Sequence, residues 1–264
     1  MKTNIQIAET IAAYATETES TWIAEQKTLN GKALALAFVK VPRFISKALI
    51  EVGNFKGWTL DQVVRVDLLT QLDEANVDLL YETAEMQEAV ALTRSLPYLN
   101  NPENFLLRAT DAVRSNMGPV FDAIAFGNTY PKDYFSEAAW NQLVLKCIFN
   151  DKAIHQIIGL DERANQELAN TLSDFAHERW SAGRRVPSQV WRLVPKFMNE
   201  SLLADIEKLA QSENPRDVLA ANLVKQEVQN PGSTQGLWHE LEKPEPIYTE
   251  IGRASCRERV SSPV

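Results

Sequence analysis

Apolar residues recur at helical rather than strand spacing along almost the whole chain. Residues 4–28, rich in Ala, Glu and Thr, predict one or two helices closed at Asn30-Gly31, a pair that stops helices and opens turns. The run KALALAFVK predicts another helix, which Pro42 ends or bends because proline lacks an amide and crowds the preceding turn. Thr59 reads as an N-cap with Gln62 completing a capping box, ahead of Leu60, Val63, Val64, Leu68 and Leu72 on one face. Residues 74–96 continue the pattern through Leu79, Leu80, Met86 and Val90, until Pro97 and Asn100-Asn101-Pro102 break it.

From Phe105 onward, Leu106, Ala109, Val113, Met117, Val120, Phe121 and Ile124 hold one stripe at about 100° per residue. Because the phase survives Pro119, this is a kinked helix or two helices joined in register. Ser136 caps a predicted helix 137–149 whose apolar residues, Trp140 to Phe149, cover almost the whole circumference, the mark of a buried helix. Asp161 starts helix 162–182, with Leu168, Leu172, Phe175, Ala176 and Trp180 on its stripe and Gly183 as its stop. Shorter helices follow at 187–198, 200–211 and 215–228. Strand-like alternation is scarce, so the expected fold is all-α and multi-helical, either a solenoid-like (HEAT-like) stack or an orthogonal helical bundle. The expected organisation is one α-helical domain over residues 1–245 and a disordered tail over 246–264. Within that tail, 251–264 lacks apolar periodicity and reads as a sequencing or assembly artefact.

Composition narrows the function classes. At 264 residues and 45% hydrophobic content the chain can bury a large core. The acidic start, with Glu9, Glu17 and Glu19, lacks the basic and apolar regions of a signal peptide, and no window is apolar enough to span a membrane, so a cytoplasmic location is expected. Cys147 and Cys256 are too few for a disulfide framework or zinc cluster, and Cys147, inside LVLKCIF, reads as a small core hydrophobe. A formal charge of -8 disfavours nucleic acid as a partner. No metal, cofactor or catalytic residue is assigned, and an enzyme is the less favoured reading.

Charge reverses locally between Arg179 and Met198, where Arg179, Arg184, Arg185, Arg192 and Lys196 stand without a carboxylate. Arg179 projects about 20° from both Leu168 and Leu172, in the middle of the apolar stripe. A guanidinium there must meet a carboxylate such as Glu85, Glu88 or Asp122, backbone carbonyls, or the anion of a ligand. Arg184 follows Gly183 on a surface turn, and Arg192 and Lys196 read as solvated. His177 and Glu178 fall on opposite sides of the stripe, so they do not share a face; His177 reads as solvent-facing or inter-helical. Asn141 sits inside the apolar arc of helix 137–149, where its amide ties two helices or lines a pocket, and Lys146 forms the polar rim or an anion contact. Asn128 and Tyr130 belong to a turn that edges a pocket or packs. Arg114 lies at its stripe's margin, Asn116 reads as a cap near Met117, and Arg163, in a first helical turn, needs Asp161, Glu162 or a ligand to offset the helix dipole.

The succession RATDAVRSNMGPVFDAIAFGNTYP, AWNQLVLKCIF, IIGLDERANQELANTLSDFAHERWSAGR and WRLV resembles the EboA-domain family of bacterial proteins, with similarity extending upstream through FVKVPRFISK and GWTLDQVVRVDLL. Positions matching the family include Arg114, Asn116, Asn128, Tyr130, Asn141, Lys146, Arg163, Glu178, Arg179 and Arg184; the serine of RSN and Thr129 depart from it. The resemblance implies a cytoplasmic accessory protein of clusters for secondary-metabolite assembly or export, such as the scytonemin-precursor pathway. Its expected partners are an anionic or aromatic metabolite or a pathway enzyme. The alternatives are an enzyme clamping an anionic substrate through Arg179, Lys146 and Asn141, with Glu178 or His177 moving protons, and a helical-repeat adaptor between proteins.

Overall fold

A computed structural model describes residues 2–243, with side chains described from Ile5 onward; the predicted tail 246–264 lies outside the described residues. The fold is all-α and multi-helical. Among the described residues there is no strand, only one isolated bridge between Leu49 and Thr59.

The amino-terminal segment forms two helices, α1 (Lys2–Tyr14) and α2 (Glu17–Gln26). The break is made by Thr16, whose side chain accepts the Glu19 amide while Glu19 Oε2 accepts the Thr16 amide at 2.8 Å. Asn30-Gly31 opens α3 (Gly31–Phe44) rather than closing its predecessor, and α3 runs two residues beyond Pro42. The capping box expected at Thr59 and Gln62 starts α4 (Leu60–Leu69), which is buried nearly all round. Residues 74–96 divide into α5 (Glu74–Thr83) and α6 (Met86–Ser95), because Ala84 is extended and Glu85 caps the next helix with help from Glu88.

The long stripe beginning at Phe105 is two helices, α7 (Leu106–Arg114) and α8 (Gly118–Ala125). Next come α9 (Tyr130–Tyr134), α10 (Glu137–Phe149, capped by Ser136) and α11 (Gln166–Ser181). The last of these starts four residues later than expected, because Asn165 rather than Asp161 caps it: Asn165 Oδ1 accepts the Leu168 amide at 2.9 Å. The predicted helix 187–198 is two 3-10 segments, Ser188–Leu193 and Pro195–Phe197. Then follow α12 (Glu200–Ala210), α13 (Pro215–Gln229) and α14 (His239–Glu242).

Packing proceeds mainly between near neighbours in sequence. The broadest contacts join α1 and α3 to α4, α4 to α6, α6 to α8 and α7 to α8, and at the other end α12 to α13 and α13 to the 3-10 segment Ser188–Leu193. One buried cluster runs through these interfaces, with Phe38, Tyr130, Trp140 and Trp191 among its fully enclosed side chains. Each such aromatic or aliphatic side chain contributes about 1.5–3 kcal/mol relative to exposure. Cys147 is fully buried beside Val144 and Ile148 in that cluster, as its apolar context predicts.

Candidate functional site

Two helix ends build the site. At the end of α11, Gly183 adopts φ 66°, its amide donates to the Trp180 carbonyl at 3.0 Å, and the Arg184 amide donates to the Arg179 carbonyl at 2.8 Å. This left-handed termination places Arg179 in the last helical turn, where the apolar stripe leaves the core. Arg179 is therefore half-buried rather than enclosed. Its Nε donates to the Arg185 carbonyl at 2.8 Å, and its guanidinium lies 5.7 Å from the centre of the Phe175 ring. Among the described residues no carboxylate pairs with it. Asp122 takes Lys152 at 2.8 Å, and Glu85 and Glu88 cap α6 near the buried Arg65.

Opposite, α10 ends in the same way at Asp151. That residue holds φ 51° while its amide donates to the Ile148 carbonyl at 3.1 Å and the Lys152 amide reaches the Cys147 carbonyl at 2.9 Å. Between the two ends opens a cleft of about 500 Å³, within the range of small-molecule sites. Among the described residues its charged lining is Lys152, Arg179, Arg185, Arg216 and Lys243 with Asp151 and Glu242, and Ile148, Val186 and Val190 are its apolar lining. Several of these charges hold the walls. Arg216 donates to the Leu241 and Lys243 carbonyls at 2.7 and 2.8 Å, Glu242 takes Arg192 at 3.0 Å, and Lys243 reaches Glu240 at 2.7 Å. The terminal nitrogens of the Arg179 guanidinium donate to no group among the described residues.

The other candidates from the sequence do not converge on this cleft. Lys146 donates to the Val113 and Ser115 carbonyls at 2.6 and 2.9 Å and sits 4.8 Å above the Phe121 ring, where it closes the end of α7. Arg163 lies before α11 rather than in its first turn. Its guanidinium takes the Pro131, Lys132 and Phe135 carbonyls at 2.7 to 3.1 Å over the Trp140 ring, so the end of α9 supplies the partners expected from Asp161 or Glu162. Those two carboxylates pair with Arg192 and Lys132 instead. Asn141 exchanges amide hydrogen bonds with Asn165 at 3.2 and 2.7 Å, tying α10 to the start of α11.

Asn128 donates to the Thr93 and Ala123 carbonyls and accepts the Tyr130 amide, while the buried Tyr130 hydroxyl donates to the Pro102 carbonyl at 2.6 Å. Burial of the phenol raises its pKa well above the usual tyrosine value. Arg114 makes an exposed ion pair with Asp111. Asn116 is exposed and does not cap α8, since Met117 occupies that position and its amide is taken by the Ser115 hydroxyl. Glu178 is exposed. His177 Nε2 lies 2.6 Å from Oδ1 of the buried Asp205 on α12, an inter-helix contact. Arg184 is exposed and lines a neighbouring cleft across the 183–187 loop. Arg192 is not solvated: it forks onto Asp161 at 2.8 and 2.6 Å and extends to Glu242.

A family model described as metabolite traffic protein EboA matches residues 3–195. The chain belongs to the EboA family. No curated protein and no solved structure matches it significantly. The match contains α10, α11 and Arg179, whereas Arg216 and Leu241–Lys243 close the cleft from beyond it. Lys152, Arg216 and Lys243 carry no signal in the sequence, because they come from three separate segments and each resembles any other surface cation. Among the described residues no group of His, Cys, Asp and Glu is placed to hold a metal, and no helix is long and apolar enough to cross a membrane.

Proposed function

We propose that this chain is an accessory protein of a secondary-metabolite assembly or export pathway, working in the cytoplasm, that holds an acidic small molecule in the cleft beside Arg179. The observation carrying the reading is Arg179 itself, a guanidinium at the wall of a cation-rich cleft whose Nε is anchored while its terminal nitrogens remain available among the described residues. An arginine fixed through one nitrogen presents the others in a defined plane, the geometry suited to a carboxylate or phosphate. Membership of a family described by metabolite traffic supports handling a small molecule over acting on a macromolecule. An enzyme clamping its substrate through Arg179, Lys146 and Asn141 is less favoured, because Lys146 and Asn141 are engaged elsewhere by backbone and amide partners.

The test is native mass spectrometry of the purified full chain, followed by extraction and identification of any bound acid. The expected result is an acidic adduct that Arg179→Met loses while remaining folded by circular dichroism. A protein that carries no acid, or an Arg179→Met variant that retains the adduct undiminished, overturns the reading.

A further inference from the structure

A second cleft lies on the far side of the Gly183–Pro187 loop, where Trp180, Arg184, Lys208 and Leu209 face Glu213 and Asp217 across a volume of about 590 Å³. We infer that this cleft is a separate binding site for a flat, singly charged organic acid, recognised by the Trp180 ring together with the Lys208 and Arg184 cations.

Three observations carry it. The Trp180 ring is only partly buried, stacked on the fully buried Trp191 with ring centres 5.9 Å apart, so it forms a rigid platform. The Lys208 ammonium rests 4.1 Å from the Trp180 ring centre, and among the described residues neither it nor the Arg184 guanidinium reaches a carboxylate. Asp217 accepts the Ser188 and Ser212 hydroxyls at 2.6 and 2.9 Å and lies 3.9 Å from Arg185, so that among the described residues Arg184, Arg185 and Lys208 stand against Glu213 and Asp217, an excess of one positive charge that suits a singly charged acid.

An acid that both stacks on the ring and takes the Lys208 ammonium in a charge-assisted hydrogen bond replaces one cation–ring contact with two contacts. An arriving acid therefore draws Lys208 off the ring and places its own planar body on the surface released, with Leu209 and Val186 as apolar flanks. Among the described residues the two clefts share Arg185 and Val186, while Trp180, Lys208 and Arg184 line the second alone, so its reading stands independently of the proposed function.

The probe is naphthalene-2-carboxylate titrated into the full chain, read through the Trp180 indole N–H resonance, which is assigned by its absence in Trp180→Phe. Cyclohexanecarboxylate controls for flatness and naphthalene-2-methanol for charge. The expected result is a saturable shift of that resonance, weakened about tenfold or more by the alcohol and by Lys208→Met combined with Arg184→Met. Both substituted side chains are exposed, so this variant is expected to keep the fold, which circular dichroism checks. The adduct of the Arg179 cleft is read by mass spectrometry and the second cleft by the Trp180 resonance of the otherwise unsubstituted chain, so a saturable Trp180 response, with or without that adduct, separates the two readings. An unmoved Trp180 resonance, or an equal response in the doubly substituted chain, overturns the inference.

Discussion

Arg179 clamps Arg185 from the side chain and its neighbour from the backbone: the Arg179 Nε donates to the Arg185 carbonyl at 2.8 Å, and the Arg179 carbonyl accepts the Arg184 amide at 2.8 Å. The loop between them is the wall shared by the two clefts. Replacing Arg179 with Met removes the side-chain half of this clamp. Faster amide exchange confined to residues 183–190 is expected, with a global cost of about 0.5–1.5 kcal/mol, as for one hydrogen bond. An exchange rate unchanged in that loop would show that the clamp contributes nothing.

Asp151 pays for its place in the cleft with a left-handed backbone, φ 51°, in the position where helices usually carry glycine. Asp151→Gly is expected to raise stability by about 0.5–1 kcal/mol in urea unfolding, with the slope of the transition unchanged. A destabilised variant would mean that the carboxylate is held by something stronger than the strain it bears.

The amide pair Asn141–Asn165 joins two helices, but its members are unequal because Asn165 Oδ1 also caps α11. Asn141→Ala is expected to cost about 1–3 kcal/mol for the amide partner left behind. Asn165→Ala is expected to cost about 1 kcal/mol more through the lost cap. Equal losses in the two variants, measured by chemical denaturation, would remove the capping contribution.

Glu19 links acid stability to the α2 cap. Burial by itself raises a carboxyl pKa, but the Ser46 and Thr16 amides and the Thr16 hydroxyl bond to its oxygens and outweigh that, bringing it down to about 2. A depressed folded-state pKa contributes stability above the unfolded value, lost as pH falls from about 5 toward 2. The wild-type chain should lose about 2–3 kcal/mol more than Glu19→Gln across that window. Parallel stability curves for the two proteins would contradict this assignment.

Burial, with a smaller push from Asp122, raises the Cys147 thiol to about 12, against the lowering effect of Lys152 and Lys146. Iodoacetamide modification of the Cys147 peptide, followed by mass spectrometry, is expected to appear only as the protein unfolds in denaturant. Labelling of the native protein at neutral pH would show that the thiol is reachable without unfolding.

Much of the helical order was legible from local chemistry. The Thr59–Gln62 box, the Ser136 cap and the Gly183 stop each act within a few residues and appear as the sequence predicts. Boundaries failed where two local signals competed. Asn165 rather than Asp161 caps α11, and Ala84 with Glu85 splits a pattern whose apolar spacing had continued unbroken. The candidate site was less legible, because a cation's partner is set by chain segments far from it.

The sequence by itself determined the all-α class, the family and the unusual position of Arg179 on an apolar face, since periodicity, capping and motif are properties of neighbouring residues. Only the tertiary structure decided which cations hold carbonyls and which face a cleft. Lys146 and Arg163 settle over an aromatic ring at the ends of α7 and α9, where unsatisfied carbonyls collect, whereas Arg179 reaches its own helix end with nitrogens to spare. That choice rests on where one helix stops against another, a distance that no spacing along the chain encodes.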